Sequence, residues 1–142
     1  MPFNLSLATL EHIPGIAEVW RSGFNTPEMQ GLFPDTPTGR EWTRRSIEKS
    51  MTEKRHNTVF YIITEDSDNV AEKGKGRVVS FARWIIQPEG SPVPDWRERW
   101  ETSFPEDMNP TLVGDVFFDP MARQHALVMA NRQHYCKYGL VI

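Results

Sequence analysis

The 142-residue chain has a single cysteine, Cys136, so no intrachain disulfide framework is available. No apolar run approaches membrane-spanning length. The opening Met1-Pro2-Phe3-Asn4 carries no basic n-region, and Glu11 interrupts the apolar residues beyond it, so no secretory signal is expected. Asn4-Leu5-Ser6 matches a glycosylation acceptor that has no use without secretion, and a cytoplasmic location is the expectation. Surplus positive charge is missing too. The formal net charge is -3, and the densest basic stretch, Arg40 to Arg55, is broken by Glu41, Glu48 and Glu53. It reads as a solvated helix face, and neither nucleic acid nor membrane is an expected partner.

Chemical motifs are just as sparse. Gly74-Lys75-Gly76-Arg77 is the nearest approach to a phosphate loop, and it leads into a strand rather than a helix. No serine nucleophile elbow occurs. None of His12, His56, His125 and His134 lies three or four residues from another. His134 and Cys136 share one side of a strand, but nothing nearby completes a ligand set, so no metal is expected. Cys136 reads as a small core residue. Asp115 and Asp119 read as solvated or capping groups, and His134 beside Tyr135 is the better acid–base candidate. By its own chemistry the chain specifies no self-contained active site.

What is present is a globular composition: 39% hydrophobic and 25% charged residues, with five Trp and eight Phe. Phe3, Leu5 and Leu7 alternate with polar or small residues and predict a half-buried strand over 3–7. Thr9 offers an N-cap for a helix carrying Ile13, Ile16, Trp20 and Phe24 at helical spacing. Asn25 to Pro37 is proline-dense and predicts a short helical turn or a folded lid. Thr38-Gly39-Arg40-Glu41 matches a capping box opening a second helix, with Trp42, Ile47 and Met51 as its apolar contacts. Strands come next at 58–64 and 77–86, paired antiparallel. The loop from Gln87 to Asn109 holds Trp96 and Trp100 four apart, a spacing that packs a loop down more often than it lines a pocket. Asn109-Pro110 and Asp119-Pro120 each read as a cap with proline at the first helical position, giving segments 110–118 and 120–131, separate or joined through a kink. A last strand is expected over 135–142. The order is that of an α+β protein.

Several pieces in this order resemble an acetyl-CoA-dependent N-acetyltransferase of the GNAT type, in its fungal branch. They are Asn4-Leu5-Ser6-Leu7-Ala8-Thr9-Leu10-Glu11-His12-Ile13-Pro14, Phe24 with Leu32-Phe33-Pro34, and Val79-Ser80-Phe81-Ala82-Arg83-Trp84. Phe117-Phe118-Asp119-Pro120-Met121-Ala122-Arg123 and His134-Tyr135 complete the set. The resemblance implies antiparallel strands with flanking helices, two of which form an acceptor groove, and a central fourth strand at 135–142. By the same resemblance the cofactor is acetyl-CoA and the acceptor is a small-molecule amine near Trp20, Phe24, Phe33 and Trp84. His134 and Tyr135 would remove the amine proton, and the backbone around Leu140, Val141 and Ile142 would meet the thioester and pantetheine arm.

In the family this strand leads into a Gln/Arg-x-x-Gly-x-Gly/Ala loop that holds the pyrophosphate. The sequence stops at Ile142, so the expectation is one GNAT-like domain over 1–142, C-terminally truncated and not competent alone. Its strand 135–142 would be covered by a second copy or by a complementary C-terminal fragment. The alternative is a non-catalytic module that binds a small molecule or a partner in an aromatic groove, marked by a closed pocket lined by Trp84, Trp96 or Trp100.

Overall fold

Thr58 to Thr64 is β-branched or aromatic at every position, and in the computed structural model it forms the second strand of a four-stranded antiparallel sheet. The structure describes residues 3–53, 57–65, 76–92, 95–129 and 134–141, the last stretch without its side chains. Strands β1 (Phe3–Leu7), β2 (Thr58–Glu65), β3 (Arg77–Gln87) and β4 (His134–Val141) stand in chain order across the sheet. Helices α1 (Ile13–Gly23), α2 (Pro27–Leu32) and α3 (Pro37–Thr52) lie between β1 and β2 in sequence. Between β3 and β4 come α4 (Trp96–Arg99) and a π-helical stretch, Leu112–Phe118, that runs directly into α5 (Asp119–Met129). This is an α+β architecture. Among the described residues no helix is long and apolar enough to cross a membrane. Ile142, expected in the last strand, lies outside the described residues.

One sheet face is covered by helices. Phe60, Ile62 and Thr64 of β2 are buried there, as are Phe81, Arg83 and Ile85 of β3. The register sets Ile62 against Phe81 and Phe60 against Arg83. It slips where Thr64 meets Val78, leaving Val79 as the extra residue of a bulge. That extra residue lets Val78 and Phe81, three apart, pack into the same core. Above Val78 sits Gly15 of α1, where a Cβ would come within 2.8 Å of Val78 Cγ2. A bare backbone at Gly15 is what allows α1 to lie this close to the sheet.

The expected alternation in β1 occurs, but its apolar residues face away from the helices, and only Ser6 is half-buried. Phe3, Leu5 and Leu7 are 66%, 68% and 58% exposed. Asn4 pairs with Thr64 and Ser6 with Ile62, which places the polar residues on the helix-covered side. Ala8 donates its N–H to the Phe60 carbonyl (2.9 Å) and packs against the core on the way into α1. Because side chains alternate strictly, that entry point decides the face of every residue before it.

Helix starts also depart from expectation. After Thr9 the chain makes a 3-10 turn, Leu10–His12, in which the Thr9 N–H donates to His12 Nδ1 (3.0 Å). α3 opens earlier than the Thr38 box predicts: Thr36 is its N-cap and accepts from the Gly39 N–H (3.0 Å), with Pro37 in the first turn. Thr36 and Thr38 both donate to Asp107, tying α3 to the end of the proline-rich loop. Asn109 caps as predicted, its Oδ1 accepting from Thr111 and Leu112. Asp119 does not cap. The helix continues through it, and the Asp119 N–H reaches back five residues to the Gly114 carbonyl. This widened turn comes just before Pro120, which has no N–H to give.

Candidate functional site

The loop from Gln87 to Asn109 is laid across α3 and held by side chains of that helix. Ser50 Oγ donates to the Arg99 carbonyl (2.6 Å), and Lys49 Nζ to the Trp100 carbonyl (2.7 Å). Ser46 Oγ accepts from the Glu101 N–H (3.1 Å), while Trp42 Nε1 donates to the Glu101 carbonyl (3.1 Å). A connection with little regular structure thereby finds partners for its backbone. Its rings complete the core: Trp100 stacks on Trp42 with centroids 6.0 Å apart, and Trp96 on Phe118 at 4.8 Å. Trp96 Nε1 donates to Asp119 (2.6 Å), and Arg97 adds a 3.1 Å ion pair to the same carboxylate. Trp96 and Trp100 are therefore packing residues. Trp84 pairs with Val59 on the opposite sheet face from the buried Arg83, so the three tryptophans share no pocket.

A cavity of about 190 Å³ opens instead between α1, α2 and the turn leading into α3. Its apolar lining is Trp20, Phe24 and Phe33. Trp20 and Phe24 lie 4.3 Å apart, and Phe33 meets Trp20 edge-on at 5.0 Å. Phe33 and Trp20 are also core residues, so this wall is fixed by packing. The polar rim is an ion triad. Asp35 accepts from Arg21 (2.6 Å) and from Arg40 (2.8 Å), and Arg21 also donates to the Pro34 carbonyl (2.9 Å). Hydrogen bonds from Arg40 and then Arg21 hold the Asp35 carboxyl below its ordinary range. Three rings on one side and a polar, charged lining on the other leave room for a small polar molecule with a short apolar part.

Three of the four residues expected at the acceptor thus converge, and Trp84 does not join them. The rim of Arg21, Asp35 and Arg40 was not foreseen, and nothing local signals it, since Arg21 and Asp35 are fourteen residues apart. On β4, His134 pairs in register with Gln87, Tyr135 with Ile86, Leu140 with Ala82 and Val141 with Phe81. Their side chains, and Ile142 altogether, lie outside the described residues. Among the described residues no group of three or more His, Cys, Asp or Glu is placed to hold a metal ion.

Compared with protein-family models, curated proteins and solved structures, the chain returns no match.

The acidic groups make the fold acid-sensitive. Asp35 is held low by Arg40 and Arg21, Asp107 by Thr36 and Thr38, and Asp119 by Arg97 and Trp96. Glu101 is held low by the backbone N–H groups of Ser103 and Thr102. Each binds its proton less readily folded than unfolded. Their stabilisation is therefore complete above the unfolded carboxylate range, about pH 4, and is lost as pH falls through the lower folded values. The urea midpoint should drop below about pH 4, and Asp119→Asn should flatten that drop. A midpoint that rises on acidification would contradict the assignment.

Proposed function

We propose that the chain is an N-acetyltransferase-like protein of the acyl-CoA N-acyltransferase kind, whose aromatic cavity takes a small-molecule amine as acceptor. One observation carries the reading. Phe33, which follows α2, comes together with Trp20 and Phe24, one turn apart at the end of α1, around a single cavity, and the resemblance implicates all three. The antiparallel order β1-β2-β3-β4, with helices after β1, supports it as well, because the resemblance implies the same order.

The residues at hand do not fit the cofactor in full. The open outer edge of β4 offers backbone groups of the kind that would meet an acyl-pantetheine arm. A pyrophosphate needs a nest of backbone N–H groups, and among the described residues no glycine-rich loop opens a helix. The cavity, about 190 Å³, is too small for a nucleotide. We therefore assign acceptor binding to these residues and route no acetyl transfer through them. In a competent assembly His134 or Tyr135 would be the group to take the proton that the amine must lose to become nucleophilic.

Isothermal titration tests both halves. Aryl- and alkylamines should bind the wild-type chain, and Phe24→Ala should weaken them roughly tenfold by removing one aromatic wall. Acetyl-CoA at millimolar concentration should give no saturable heat. Tight acetyl-CoA binding would overturn the split between acceptor and cofactor sites. Absence of any amine binding would remove the acceptor reading.

A further inference from the structure

Across β1 to β3 the sheet face turned away from the helices is largely apolar and exposed. Phe3, Leu5 and Leu7 of β1 are joined there by Tyr61 and Ile86, 39% and 37% exposed. Cross-strand pairing arranges the face in rows, Leu7–Tyr61–Ala82 and Leu5–Ile63–Ser80, with Val59 beside Trp84. Across β1 to β3 its only charged residues are Glu65 and Arg77, which pair with each other at 3.0 Å.

We propose that this face is an interface between two copies of the chain, packed sheet on sheet about a two-fold axis. The inference is independent of the acceptor reading, because the cavity lies on the helix side. Area argues for it first. The five exposed side chains leave on the order of 500 Å² of mostly apolar surface in water, near the upper end of what a monomer shows in one patch. Counted on both copies, and with Val59, Ile63 and Trp84 added, a two-fold contact buries roughly 1,200 Å², where specific interfaces begin.

Shape and charge point the same way. The small Ser80 and Ala82 of β3 lie beside the larger Ile63 and Tyr61 of β2, which gives hollows and ridges of the kind that interdigitate when two such sheets stack about 10 Å apart. A two-fold contact is self-complementary by construction, and across β1 to β3 the one ion pair, Glu65 with Arg77, brings no net charge into it. An area at this threshold predicts a dimer that forms with rising concentration rather than an obligate one.

Sedimentation equilibrium of the full chain from low micromolar to submillimolar concentration tests the proposal. The mass should rise from 16.4 kDa towards twice that value. Leu5→Glu and Ile86→Glu, on different strands of the face, should each raise the dissociation constant at least about 100-fold, because each charge enters the contact twice. Leu127→Glu, at a position of α5 that is 81% exposed, should leave it unchanged. On the unsubstituted chain, hydroxyl-radical labelling of Tyr61 should fall as the dimer forms, a readout that no folding defect can mimic. A chain that stays at 16.4 kDa throughout overturns the proposal. So does association that the two face variants leave intact, or unchanged labelling of Tyr61 in the associated form.

Discussion

Trp42→Ala is expected to cost about 3–5 kcal/mol of folding stability, the range for emptying a large buried aromatic site. Trp42 has no exposed surface and sits where four parts of the chain meet. Phe33 stacks on it at 5.9 Å, Phe104 at 5.7 Å and Trp100 at 6.0 Å. Its indole N–H is also the partner of the Glu101 carbonyl. Truncation therefore leaves a cavity and removes a hydrogen bond from the Gln87–Asn109 loop at once. Against a typical domain stability of about 5–15 kcal/mol the loss is a large share of the total. Trp42→Phe keeps a ring in the stack but lacks the N–H, and should cost about 1–2 kcal/mol. Guanidinium unfolding at neutral pH measures both. The substitution should also loosen the acceptor wall through Phe33, so amine affinity should fall alongside stability. A loss below about 1 kcal/mol for Trp42→Ala would mean that the Gln87–Asn109 loop is not anchored through this residue.

Gly39→Ala should destabilise by about 2–3 kcal/mol, although alanine is the better helix former by about 1 kcal/mol. A Cβ at Gly39 would run into the Pro34 carbonyl oxygen, a backbone atom that cannot swing aside as a side chain can. Its neighbour Asp35 would be displaced with it, and with Asp35 the anchor for Arg21 and Arg40. Gly31→Ala in α2 is the matched control: nothing lies within 4 Å of its added methyl, so propensity alone acts. That variant should gain up to about 1 kcal/mol. Equal effects from the two substitutions would show that the close approach at Gly39 carries no energetic weight.

These two sites mark where sequence reasoning succeeds and where it stops. Trp42 was legible as a core residue because it lies on the apolar stripe of an amphipathic helix. The tight turn beneath Gly39 was not: Thr36-Pro37 and the Thr38 capping box offer two competing starts, and the local sequence does not rank them. Thr36 and Thr38 both have a capping hydroxyl. The outcome rests on Pro37 suiting the first turn and on Asp107, some seventy residues away, drawing both hydroxyls. Asp119 shows the same limit. Locally it reads as a cap before proline, yet it serves Trp96 and Arg97, about twenty residues earlier.

By itself the sequence determined the α+β order of elements, the four strands to within a residue or two at their ends, and the packing role of Trp96 and Trp100. These come from periodicity, β-branching and turn chemistry, all of which act over a few residues. The tertiary structure alone decided which side of β1 meets the helices and why Trp84 stands apart from Trp20, Phe24 and Phe33. It also brought Arg21, Asp35 and Arg40 to one rim. A period of two says that neighbouring side chains point opposite ways but never which way is in. That choice was made by pairings between distant segments, Ser6 with Ile62 and Ala8 with Phe60, whose partners the local sequence does not encode.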